Sequence, residues 1–327
     1  MRLQSRLLLI VSMFAAAFFA VAARSAASTP VDWQHQVLDL PLAWQLTTGS
    51  PASVVAVVDS GVQSDHPALT GRVLPGYDFV HGDTNTNDDN GHGTAVAGII
   101  ASVCPGCRIL PVKVLDEHRV GDWPTIAAGI VWAADNGAQV INLSVGGAHP
   151  ADVLGTAVAY ALSKGVIVVA AAGNDGAQED FFPASYPGVI SVAAVDENGA
   201  RSPFSNFGGG ITVAAPGCVT APWLESGYAS DFCGTSTAAP FVAGLAGLAR
   251  AFKPHLVPSA FLQALTASTT LLPDPNTAAH GIPDARRLLV DLGAPSSPPP
   301  AGKPPAPAPG AYPAPSPAHH GSRLGPS

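Results

Sequence analysis

The stretch "SVVAVVD", residues 53–59, is apolar at five consecutive positions and ends on an acid. A half-buried strand alternates apolar with polar residues, so an unbroken run rich in valine reads as a strand covered on both faces. Strands of that kind belong to parallel sheets, whose connections cross over, usually through helices. Four more runs repeat the pattern: "RILPVKVL" (108–115), "QVINLS" (139–144), "GVIVVAAA" (165–172) and "GVISVAAV" (188–195). Between them, "HGTAVAGIIASV" (92–103), "TIAAGIVWAADNG" (125–137) and "DVLGTAVAYALSKG" (152–165) carry apolar residues at helical spacing. The last two end in the glycine that suits a helix C-terminus. This alternation over residues 28–293 predicts an α/β domain of three layers, a mostly parallel central sheet flanked by helices.

The rest of the chain sets limits on what such a domain does. With 327 residues, 47% of them hydrophobic, it can bury a sizeable core. Residues 1–23 pair Arg2 and Arg6 with an apolar run ending in small residues, the layout of a signal peptide cleaved near Ala22 or Ala23. The alternative is an uncleaved anchor, because Leu7 to Ala23 approaches the length of a short membrane span. Either way the expected location is secreted or extracytoplasmic, periplasmic or extracellular, with no stable anchor once the leader is removed. The formal charge is −8, and −10 without Arg2 and Arg6, which argues against nucleic acid or an acidic membrane surface as partner. A monomer is expected. Residues 294–327 hold 12 prolines among Ala, Gly and Ser, so they cannot bury a core and read as a disordered tail. That tail either tethers an unknown partner or acts as a spacer.

Outside the cytoplasm, four cysteines form an even set that can make two disulfides. Proximity favours Cys104 with Cys107 and Cys218 with Cys233. A redox dithiol or half a zinc site are the alternatives for "CPGC", but neither a thioredoxin-like helix nor a nearby histidine pair accompanies it. No metal site is expected; His319 and His320 are too few for a metal tract.

Three short motifs carry chemistry. Asp59 ends the first strand in "VVDSG", His92 opens a helix in "NGHGT", and Ser236 lies in "GTSTAAP" just before a helical run. Singly they read as a turn aspartate, a loop histidine and a helix cap. Together they supply a nucleophilic hydrolase. A serine hydroxyl is a weak nucleophile and needs an adjacent base, a task that suits neutral imidazole. A carboxylate must then hold the other ring N–H and stabilise the imidazolium that forms. His92 is the expected base and Asp59 its partner. A helix starting near Ser236 turns its free N–H groups towards the developing oxyanion. Pro240, lacking an N–H, is expected within the first turn of that helix.

These motifs resemble those of the subtilisin-like serine proteases, the subtilase family, over about residues 40–290. "DSGVQSDHPAL" (59–69), "NGHGTAVAGIIA" (90–101) and "GTSTAAPFVAGLAGL" (234–248) resemble the family's three catalytic segments, in the family's order. "VVAAAGND" (168–175) resembles the segment that supplies an oxyanion-hole asparagine, which falls on Asn174. The resemblance implies a subtilisin-like fold and a secreted serine endopeptidase acting on protein or peptide substrates. It also implies that substrate adds as an extended strand between two edges. "LSVGG" supplies one edge through Ser144, Val145, Gly146 and Gly147, and Arg119, Val120 and Gly121 supply the other. Ala171, Ala172 and Gly173 then line a pocket (S1) with room for a large apolar side chain before the scissile bond (P1). Trp123 either roofs a more distant apolar pocket or lies in the core.

The chain also departs from the family pattern. Thr237 follows the nucleophile where the family often has an oxidisable methionine. Between "VAGIIASVCPGC" and "RILPVKVL" the insertion that forms a calcium loop in many relatives is missing, and Ala68 stands where a ligand carboxylate often does. No cofactor is required on this reading; structural calcium stays open, but the usual strong site is expected to be absent, with a Cys104–Cys107 clip in its place. Fewer than twenty residues separate the leader from "LPLAWQLTTG" (40–49), too few for a folded prodomain, so folding assistance is expected by another route. Two other readings compete: a protease-like binding scaffold that is catalytically silent, and an α/β-hydrolase esterase. The esterase would need a G-x-S-x-G elbow, which Ala238 breaks.

Overall fold

The computed structural model describes residues 32–296. The expected leader and all but the first residues of the expected tail lie outside them. Two short helices, α1 (Trp33–Val37) and α2 (Leu40–Ala43), precede β1 (Val54–Asp59) and β2 (Tyr77–Asp78). Then come α3 (His92–Val103), β3 (Arg108–Lys113), α4 (Trp123–Asp135), β4 (Val140–Leu143), α5 (Asp152–Ser163), β5 (Ile167–Ala171), β6 (Ile190–Val195) and β7 (Val213–Pro216). A hairpin, β8 (Cys218–Pro222) and β9 (Tyr228–Cys233), leads into α6 (Thr235–Phe252). The remaining elements are α7 (Pro258–Ala267), β10 (Thr269–Thr270), β11 (Ile282–Pro283) and α8 (Ala285–Asp291).

The seven strands β1 to β7 form one sheet in the order β2-β3-β1-β4-β5-β6-β7, and every pairing in it is parallel. Successive side chains of a strand face opposite ways. In β1, Val55 and Val57 accordingly enter the core beneath α3 and α6, while Ala56 and Val58 enter the core beneath α4 and α5. Two cores claim alternate residues, which is why the run "VVAVV" has no polar member. Register sets Asp59 beside Lys113 and Val57 beside Asn142, so the carboxyl ends of β1, β3 and β4 lie side by side. In an open parallel sheet that edge is where ligands bind.

The expected helices form with small shifts at their ends. α4 begins two residues early because Asp122 caps it, accepting the Thr125 N–H at 2.8 Å, and Pro124 fits its first turn. Gly137 and Gly165 take φ of +89° and +80° just past α4 and α5, as a glycine stop requires. α6 is buried on nearly every side from Thr237 to Arg250, as befits a helix running through the interior. The sheet's outer strands β2 and β7 and the β8–β9 hairpin were not expected: β2 has two residues, and "VAAP" offers too short an apolar run.

The structure joins Cys104 to Cys107 and Cys218 to Cys233, the pairs that proximity favoured. Among the described residues no group of three or more His, Cys, Asp or Glu side chains is arranged to hold a metal ion, and no helix is long and apolar enough to cross a membrane. Cys104 and Cys107 are fully buried, whereas Cys233 is exposed. Thiol titration of the native protein is therefore expected to find no free cysteine, and mild reduction to release two thiols from Cys218–Cys233 alone; four thiols without denaturant would contradict this packing.

His35, on α1, is buried with Nε2 3.2 Å from Ser102 Oγ and its ring edge-on to Trp44. Burial pushes its imidazole down from 6.5 to about 4. The unfolded chain therefore takes up this proton first, so stability is complete above pH 6.5 and falls as pH drops towards 4. The full loss is about 3 kcal/mol. Urea unfolding of His35→Gln should flatten the pH dependence in this window; a slope equal to the parent's would refute the assignment.

Candidate active site

Asp59 ends β1 with no exposed surface. Its Oδ1 accepts the Ser60 N–H at 2.7 Å and lies 2.7 Å from His92 Nδ1. A carboxylate only accepts, so the ring proton belongs on Nδ1 and Nε2 is left as the basic atom. His92 is the first residue of α3, buried to 4% exposure.

Asp88 fixes that helix start. Its carboxylate accepts the N–H groups of Asn90, Gly91 and Thr94 at 2.8 to 3.0 Å and the hydroxyls of Ser60 and Thr94 at 2.9 and 2.6 Å. An anion at a helix N-terminus is favoured by the free N–H groups and the dipole. Because one of its partners follows Asp59 directly, Asp88 also ties the end of β1 to the start of α3. Beneath this turn Lys113 is fully buried, donating to the Ser60 C=O at 2.7 Å, the Leu115 C=O at 3.1 Å and Asp89 Oδ1 at 2.7 Å.

Ser236 is the second residue of α6 and half-buried. Its hydroxyl donates to the Ser144 C=O at 3.2 Å, and among the described residues no hydrogen bond joins it to the His92 ring. Hydroxyl–imidazole contacts in enzyme clefts commonly tighten only when a ligand binds. Asn174 is oriented by Thr235, whose N–H and hydroxyl both donate to Asn174 Oδ1, at 2.8 and 3.0 Å. Two donors on one atom identify it as the oxygen, so the amide NH₂ is the end left for a ligand. Pro240 does not lie in the first turn: α6 starts at Thr235, so the proline falls in the second turn, four residues after Ser236.

A cleft of about 470 Å³ runs past these groups, a size that suits a ligand site. His92, Asn174 and Ser236 line it, together with Ser144, Val145, Gly146 and Ala171 and with Arg119, Val120 and Gly121. Trp123, Leu115 and Ile126 form an apolar end. Three of the expected lining residues do not reach it. Ala172 opens on a different cavity beside Gln178 and Glu179, as alternation past Ala171 requires. Gly173 is buried, with its N–H donated to Thr235 Oγ1 at 3.1 Å. Gly147 spends its N–H and C=O on Phe182, at 2.9 and 2.8 Å, so the free edge stops at Gly146.

On the far side of Ser236 a smaller cavity is lined by Trp223, Phe232, Asp231 and Cys233 of the hairpin. Phe232 stands edge-on to His92, with centroids 5.4 Å apart, and its C=O accepts the buried Thr237 hydroxyl at 3.0 Å. Sequence reasoning missed Thr235, Asp88, Lys113 and Phe232, and Phe181, which also lines the 470 Å³ cleft. A Thr just ahead of a serine, or a Lys inside an apolar strand, offers only a weak signal.

The model described as the Subtilase family matches residues 50–291. Thermitase of Thermoactinomyces vulgaris is 46% identical over 224 residues, 65% of this chain and 80% of thermitase. Subtilisin Savinase of Lederbergia lenta is 38% identical over 265 residues, 78% of this chain and 97% of Savinase. A solved protease structure from Pseudoalteromonas arctica aligns with a TM-score of 0.72 at 31% identity, covering 80% of this chain and 98% of that one.

Lys113→Met keeps the side-chain volume but strands two buried carbonyls and one carboxylate. It should lower stability by about 3 kcal/mol. Urea unfolding with an unchanged m-value is the measurement; a loss below about 1 kcal/mol, the worth of one ordinary hydrogen bond, would mean that water replaces the ammonium freely.

Proposed function

The chain belongs to the subtilase family and is a serine-type endopeptidase, and on that premise we propose that it is an exported enzyme that cleaves peptide bonds through an acyl-enzyme on Ser236. The observation that carries the assignment is the 2.7 Å contact between Asp59 Oδ1 and His92 Nδ1 at the wall of the cleft that also holds Ser236. In the proposed reaction Ser236 Oγ attacks the scissile carbonyl carbon and its proton passes to His92 Nε2. Asp59 stabilises the imidazolium that results. The negative charge moves to the carbonyl oxygen, which meets the Ser236 N–H and the Asn174 NH₂. The imidazolium then protonates the departing amine, and water, deprotonated by the same base, releases the acyl group.

Substrate enters as a strand between residues 144–146 and 119–121. Ala171 and Gly146 give the S1 pocket small walls, which supports an apolar P1 side chain, and Trp123 with Ile126 supports a second apolar contact further from the bond. The expected leader supports export. The usual strong calcium site fits poorly: Ala68 offers no oxygen ligand from its side chain, and α3 runs into β3 through a short turn closed by Cys104–Cys107. No step of the mechanism uses a metal.

Ser236→Ala should abolish both peptide cleavage and labelling by a fluorophosphonate; cleavage that persists would remove Ser236 from the role. Asn174→Ala should lower kcat about 100- to 1,000-fold with little change in KM, the range known for the corresponding donor of subtilisin itself. Cleavage-site profiling of a peptide library should show apolar P1 residues, and a basic or acidic preference would overturn the S1 reading.

A further inference from the structure

Ser236 is gripped from both ends by one residue, Ser144, just past the end of β4. Its Oγ donates to the Ser144 C=O at 3.2 Å, and the Ser144 Oγ donates back to the Ser236 C=O at 2.9 Å. The second contact is unusual, since the carbonyl of a residue inside a helix normally accepts the N–H four positions on. Here that position is Pro240, which has no N–H. The proline leaves the half-buried Ser236 carbonyl without the N–H that a helix supplies four positions on. A buried carbonyl without a donor is costly.

The direction of the Ser144 hydroxyl is fixed from behind. Asn142, fully buried on β4, donates its Nδ2 to Ser144 Oγ at 2.9 Å. An amide NH₂ only donates, so the serine oxygen accepts and its single hydrogen is left for the Ser236 carbonyl. The chain Asn142, Ser144, Ser236 thus carries one polarity from the sheet into the first turn of α6.

We propose that the Ser144 hydroxyl is a positioning group that replaces the N–H missing at Pro240 and holds the peptide following the nucleophile. The inference rests on Ser236 being the nucleophile. With the carbonyl held, rotation about the Ser236 backbone is stopped, and with it the direction of both its N–H and its Oγ. This role belongs to the side chain of Ser144; its backbone remains part of the substrate edge.

The test is a mutant cycle with all rates expressed per fluorophosphonate-titrated site, so that unfolded protein does not enter. Ser144→Ala should lower kcat about tenfold, because the Ser236 Oγ and N–H are then less well directed, with KM within about twofold. Ser144→Thr, which keeps the hydroxyl, should recover most of that loss. In a Pro240→Ala background the helix regains its own donor, so removing the Ser144 hydroxyl should there cost about twofold or less, a coupling that only neighbours sharing one partner display. A Ser144→Ala kcat equal to the parent's, or the same penalty in both backgrounds, overturns the proposal. Cleavage surviving in Ser236→Ala would instead overturn the nucleophile assignment beneath it.

Discussion

A backbone contact between β1 and α3 underlies the site. Gly93 sits where a Cβ would lie 2.0 Å from the Gly61 C=O, so any other residue there would push the helix head off the turn that follows β1. Only across that contact do Asp59 and His92, 33 residues apart, come within 2.7 Å. Asp59 has no exposed surface, and a carboxylate removed from water without partners would favour its neutral form. Its Oδ1 has two partners there, the Ser60 N–H and the His92 ring. Asp88 and Lys113 perform the same service one layer out, each neutralising backbone groups that the turn leaves unpaired.

The sheet was legible because burial on both faces leaves a mark in composition. "SVVAVVD" and "GVIVVAAA" have no polar alternation since two cores compete for their side chains. The same rule hides β2 and β7, which are short and lie at the edges of the sheet. Asp59, His92, Ser236 and Asn174 were legible for another reason: each stands in a short motif whose neighbours serve the same geometry. The supporting residues were not. Thr235 orients Asn174 from 61 positions away, and Ser144 reaches Ser236 across 92. Ser144 was expected only as a backbone edge, and each of these residues uses a contact to or from the backbone, which looks the same in every residue. Pro240 was read correctly as a residue without a donor, yet its consequence lay in the second turn, since the helix begins at Thr235.

The parts of the cleft differ in how firmly they are held. α6 is enclosed along its length, so its N-terminus cannot shift without opening the core, and Ser236 and the Asn174 clamp inherit that rigidity. Groups that must meet a developing charge act best when they need no rearrangement at that moment. The edge at 119–121 is built otherwise. Arg119 takes φ of +63°, Val120 is 64% exposed, and the turn is closed on Asp116, whose carboxylate accepts the N–H groups of His118 and Val120 and whose backbone bonds Arg119 and Val120. Segments with little buried contact lie at the low end of local stability. Rigidity is thus concentrated at the proposed reaction centre, and exposure at the edge proposed to meet the substrate.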